Sequence, residues 1–120
     1  MKELAGTRVL LVEDEPIVAL DHADRLSQAG AEIIGPFAGS KEAIRELGRR
    51  DVDVAVIDFV LNDSNSVELQ EELERRHVPF IVVTAYPKVL VRANPEQQVL
   101  GKPVNSEELC GTVRQAAAGK

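Results

Sequence analysis

The chain has 120 residues, 44% of them hydrophobic, enough for one domain with a single core, about residues 7 to 118. A formal net charge of -6 and scattered basic residues exclude a nucleic-acid backbone as a direct ligand, since phosphates need a basic face. One cysteine, Cys110, excludes an internal disulfide, no apolar stretch reaches the ~20 residues of a spanning helix, and Met1 to Gly6 holds no signal-peptide core; a cytoplasmic chain without a membrane partner is expected.

The first apolar run, Arg8 to Val12, ends in Glu13 and Asp14. Pro16 opens a helix with Ile17, Leu20, Ala23 and Leu26 at helical spacing, stopped by Gly30. A weaker run, Ala31 to Ile34, carries Glu32 and closes at Gly35-Pro36, which places it at a sheet edge. Ser40 can cap a second helix that buries Ala43, Ile44 and Leu47. Val52 to Ile57 then runs into Asp58. Ser66 starts a third helix bearing Val67, Leu69 and Leu73, and after Pro79 the run Phe80 to Val83 ends in Thr84. Pro87 and Pro95 leave room for only a short fourth helix, roughly Lys88 to Ala93, in a segment expected to be mobile or remodelled. Val99 to Gly101 leads to Lys102 and Pro103, and Ser106 lies near the start of a last helix with Leu109, Val113 and Ala116 inward.

Five strand–helix units imply a parallel α/β sheet with helices on both faces. The order 2-1-3-4-5 makes neighbours of the four strand ends that carry reactive side chains, around a switch point between strands 1 and 3. Three acids, a hydroxyl and an amine then share one rim. Carboxylates gather a hard divalent cation such as Mg²⁺, and an aspartate carboxylate can accept a phosphoryl group to form an acyl phosphate. Asp58 is the expected phosphoacceptor. Asp14, Asp58 and the Val60 backbone carbonyl would hold the ion, with Glu13 acting through a bound water. Lys102 would supply a second positive charge, and the Thr84 hydroxyl and Ala85 N–H would bind phosphoryl oxygens.

Val9-Leu10-Leu11-Val12-Glu13-Asp14-Glu15-Pro16, Val56-Ile57-Asp58 with Leu61 three on, Val83-Thr84-Ala85 and Lys102-Pro103 together resemble the receiver domain of bacterial two-component response regulators over about Thr7 to Ala118. The resemblance implies a flavodoxin-like fold. It also implies that Asp58 takes its phosphoryl group from a phosphohistidine on a histidine kinase or histidine phosphotransfer protein, and that small phosphodonors can substitute. Glu13 and Asp14 take the metal role, Thr84 the switch hydroxyl and Lys102 the phosphate-pairing role. A downstream protein target would read the change, and a phosphorylation-dependent homodimer is one form that readout takes. Such a domain catalyses its own phosphorylation and dephosphorylation and is not a turnover enzyme.

The chain departs from the family pattern at several positions. Asn62 stands where a proline is usual, and Ser66 where a glycine is usual. The switch aromatic, three residues before the lysine, is replaced by Val99, and Tyr86 is the residue placed to substitute for it. The shortened fourth helix resembles that of a divergent group of receivers, many of which stand alone. Val60 offers no side-chain group to orient a hydrolytic water and Tyr86 would shield the site, so dephosphorylation is expected to be slow. Competing readings are a phosphate-independent interaction domain, the receiver portion of a larger regulator or hybrid kinase, and a small phosphohydrolase. The last lacks its second acid, because Val60 stands two residues after Asp58. His22, beside Asp21 and Asp24, reads as a solvated or locally paired side chain, Cys110 as a packing residue, and Gly101 as a close approach of backbone to the site.

Overall fold

Five strands alternate with five helices among the residues described, 2–61 and 65–119, in the computed structural model. In chain order they are β1 (Arg8–Val12), α1 (Pro16–Gln28), β2 (Glu32–Phe37), α2 (Ser40–Leu47), β3 (Val54–Asp58), α3 (Val67–Arg75), β4 (Phe80–Thr84), α4 (Pro87–Ala93), β5 (Val99–Gly101) and α5 (Ser106–Ala118). Asn62 lies outside the described residues. All strand pairs are parallel, and the order is β2-β1-β3-β4-β5, as the sequence predicts.

The near-continuous apolar runs reflect burial on both faces, because successive strand side chains point to opposite sides. Val9, Leu11, Val54, Val56, Ile81 and Val83 pack with Leu26 of α1 and with Leu109 and Val113 of α5. Leu10, Val12, Ala55, Ile57 and Val82 pack on the other side, with Ala43 and Leu47 of α2 and Leu69 and Leu73 of α3. The strand residues therefore alternate between two cores, and the strand ends are held in register at the rim.

Three local expectations are corrected. In α1 the buried line is Ala19, His22 and Leu26, while Ile17 and Leu20 stay 83% and 66% exposed. Spacing alone does not fix the rotation of a helix with a broad apolar arc, and the small Ala19 permits close approach to the sheet. His22 is accordingly inward rather than solvated, and burial holds its pKa below the usual imidazole value. The second strand does not close at Gly35-Pro36 but runs on to Phe37, through a register shift between Leu10 and Val12. Gly35 has φ +115°, and a Cβ there would stand 2.7 Å from the Leu11 carbonyl oxygen, so only glycine fits.

Helix starts differ as well. Ser40 is the first residue of α2, behind Gly39 at the N-cap. Ser66 occupies the N-cap of α3, but its hydroxyl accepts from the Gln70 amide, and Asn65 Oδ1 takes the Val67 N–H instead. The last helix starts at Ser106, as expected, and Asn105 caps it by accepting from the Glu108 N–H at 2.7 Å. The fourth helix is short, as expected, with seven residues and none of them buried.

Candidate active site at the strand ends

The acids are placed by backbone before side chain. The Glu13 N–H donates to the Phe37 carbonyl at 2.9 Å, a bond that exists only because β2 continues past Gly35. The Glu15 N–H donates to Glu13 Oε2 at 3.1 Å and turns the Glu13 carboxylate inward. Asp58, last residue of β3, is paired with Val83 of β4. Glu13 and Asp58 are buried, and Asp14 is half-buried. Oxygens from Glu13, Asp14 and Asp58 all lie within 4.8 Å of one another.

Lys102 closes this cluster from the end of β5. Its ammonium donates to Asp58 Oδ2 at 2.9 Å and to Glu15 Oε1 at 3.4 Å, and pairs in charge with Glu13 Oε1 at 3.3 Å. Burial alone would pull the Lys102 pKa down; the hydrogen bond to Asp58 and the charges of Glu13 and Asp58 outweigh it and raise the pKa above the usual lysine value. Burial and the contact with Asp58 push the Glu13 carboxyl up to about 7, against the lowering pull of the Glu15 N–H and Lys102. One lysine faces three carboxylates, which leaves the cluster with surplus negative charge. Oxygen-only donors with surplus negative charge suit Mg²⁺.

A cavity of about 290 Å³ opens over Asp58. Asp14, Glu15 and Lys102 line it together with Val60, Thr84, Ala85 and Tyr86. Thr84 is buried, and its Oγ1 accepts from the Tyr86 N–H at 3.1 Å, which leaves the hydroxyl proton to donate elsewhere. The Lys102 N–H donates to the Thr84 carbonyl at 2.8 Å, so the hydroxyl and the ammonium ride on bonded neighbours. The Val60 N–H donates to Asp58 Oδ1 at 3.4 Å, while its side chain is 63% exposed at the mouth of the cavity. Tyr86, also in the lining, is exposed. Val99 pairs with Val82, is half-buried and lies away from the cavity. The structure therefore brings together every expected site residue except Val99.

Two contributors were not expected from the sequence, and one expectation is corrected. Glu15, the third acid of the Glu13-Asp14-Glu15 run, touches Lys102; the run itself was the signal. The Phe37 carbonyl left no side-chain signal. Gly101 serves α4 rather than the site, since a Cβ there would stand 2.9 Å from the Pro87 ring.

The family model for the response regulator receiver domain matches residues 9–114. The phyllosphere-induced regulator PhyR of Methylorubrum extorquens is 30% identical over 123 residues, covering 96% of this chain and 46% of that protein. The response regulator PhyR of Brucella abortus superposes with a TM-score of 0.87 at 25% identity, over 98% of this chain and 50% of that one. The receiver domain of the sensor histidine kinase PA1611 of Pseudomonas aeruginosa, solved with a magnesium ion in its active-site cleft, gives a TM-score of 0.83 at 25% identity, over 95% of this chain and 99% of that one. The chain spans less than half the length of the curated relatives it matches.

Proposed function

Because the chain belongs to the response regulator receiver domain family, we propose that it accepts a phosphoryl group on Asp58 from a histidine kinase or histidine phosphotransfer protein and thereby switches its binding to a downstream protein. The observation that carries this is the Lys102 ammonium 2.9 Å from Asp58 Oδ2, inside a cluster whose other acids come within 4.8 Å, at the floor of an open cavity. An Oδ atom of Asp58 attacks phosphorus, and Lys102 offsets the charge that gathers on the phosphoryl oxygens. The Thr84 hydroxyl and Ala85 N–H receive two of those oxygens. Glu13, Asp14, Asp58 and the Val60 carbonyl would hold Mg²⁺, which when bound supplies charge neutralisation between carboxylate and donor. The domain acts in the cytoplasm as a phosphoacceptor rather than a turnover enzyme.

Phosphorylation adds about -1.5 to -2 charges at Asp58. Thr84 turns toward them, and its loop carries Tyr86, exposed beside Val89 on α4, which gives a partner an apolar surface to read. Self-association is one form of that readout. A phosphate-independent interaction domain is the second reading, favoured only by the absence of an aromatic at Val99. Intact-mass spectrometry after incubation with acetyl phosphate and Mg²⁺ tests the proposal. The wild type should gain one labile phosphoryl group and Asp58→Asn none; equal gain in both would remove Asp58 from its role.

A further inference from the structure

Glu15 is the one carboxylate on Lys102 that the phosphoacceptor chemistry does not require. It occupies the N-cap of α1, yet its side chain makes no capping hydrogen bond. It reaches instead across 87 positions of sequence to the end of β5 and takes a Lys102 donor at 3.4 Å. The other two partners of that ammonium are buried, with side chains 2% and 7% exposed, whereas the Glu15 side chain is 62% exposed at the mouth of the cavity over Asp58. Any donor approaching Asp58 passes this charge, and the incoming phosphoryl group competes with it for the same ammonium.

We propose that Glu15 is a specificity-determining residue, a fixed negative charge on Lys102 that discriminates among phosphodonors by their net charge. This rests on the reading of Asp58 as phosphoacceptor. During transfer an Asp58 oxygen forms the new O–P bond. With acetyl phosphate the P–O bond to the acetyl group breaks and acetate leaves with the electron pair. With phosphoramidate the P–N bond breaks and the nitrogen, already protonated at neutral pH, leaves as ammonia. Acetyl phosphate is a dianion at that pH and phosphoramidate carries one net negative charge, so Glu15 opposes the first more than the second. A unit charge at ~6 Å in water changes the rate ratio of two donors that differ by one charge roughly 3-fold.

The test measures phosphorylation rates with both donors and Mg²⁺, by intact mass, for wild type, Glu15→Gln, Glu15→Asp and Glu15→Lys. Because Glu15 is exposed and caps nothing with its side chain, all should fold. The ratio of the acetyl phosphate rate to the phosphoramidate rate should rise roughly 3-fold in Glu15→Gln and about 10-fold in Glu15→Lys at low salt, stay near wild type in Glu15→Asp, and converge at high salt. A structural role alone would move both donors together. An unchanged ratio in Glu15→Gln and Glu15→Lys overturns the inference while leaving Asp58 in place. No phosphoryl gain by any variant from either donor overturns the phosphoacceptor reading and this inference with it.

Discussion

The site joins two unequally built halves of the molecule. On the β2-β1-β3 side the strands are five or six residues long, and the helices against them bury Ala19, Leu26, Ala43, Leu47, Leu69 and Leu73. On the β4-α4-β5 side, β5 has three residues and α4 buries none of its seven. A cavity of about 160 Å³ remains beneath α4, bounded by Phe59, Val82 and Leu90. Regions with few buried apolar contacts open at the lowest free energy. Glu13, Asp14 and Asp58 belong to the well-packed half, and Thr84 and Lys102 to strands that border α4. In the proposed switch, a charge placed on Asp58 is set on the firmer half and relieved by movement of the weaker one.

The largest expected effect separates the halves directly. Leu69→Ala, in the fully buried part of α3, should cost about 3 kcal/mol in urea unfolding. Leu90→Ala on α4, only half-buried, should cost less than ~1 kcal/mol. Equal losses would erase the contrast.

Next comes the acid cluster. Without metal, the folded chain holds the Glu13 proton up to about pH 7, and the unfolded chain only to about 4.5. The folded state binds the extra proton across that window, so stability from this group falls as pH rises through it. Glu13→Gln should raise metal-free stability by about 2 kcal/mol at pH 8 and change it little near pH 5. A gain of the same size at both pH values would show that Glu13 does not titrate as described.

A smaller effect is expected at the seam between the halves. Gly101→Ala puts a methyl group against the Pro87 ring, which cannot swing aside as a flexible chain would. It should cost about 1–2 kcal/mol, with amide shifts concentrated between Thr84 and Ala93. Shifts spread evenly over the sheet would contradict a local contact. Last, Val60→Asn puts a polar side chain in the lining of the cavity and should shorten the phosphoryl lifetime several-fold, well below the ~10²-fold of a full general base, because an amide only orients the water. An unchanged half-life would remove Val60 from control of hydrolysis.

What the sequence made legible follows the same division. Strand order, the two-faced core and the gathering of Glu13, Asp14, Asp58, Thr84 and Lys102 came from runs buried on both faces, each ending in a polar residue. Such a pattern has few alternative arrangements. The rotation of α1 was not legible, because Ile17 and Leu20 share helical spacing with Ala23 and Leu26, and the choice of face depends on how closely Ala19 approaches the sheet. Nor was the passage of β2 beyond Gly35-Pro36, where a backbone carbonyl rather than a side chain holds Glu13. The role of Glu15 was visible only as one more acid, since its meeting with Lys102 depends on how the start of α1 and the segment after β5 converge over the sheet rim.

Phosphorylation on the firm half should move the weak one without an aromatic at Val99. Amide spectra of the Mg²⁺-loaded chain before and after phosphorylation test it most directly. The account predicts shifts from Thr84 through Leu100, reaching Val89 and other α4 amides remote from Asp58, with the amides of β1 and β2 beyond the site unchanged. Identical spectra from Thr84 to Leu100 in a chain shown by mass to be phosphorylated would contradict it.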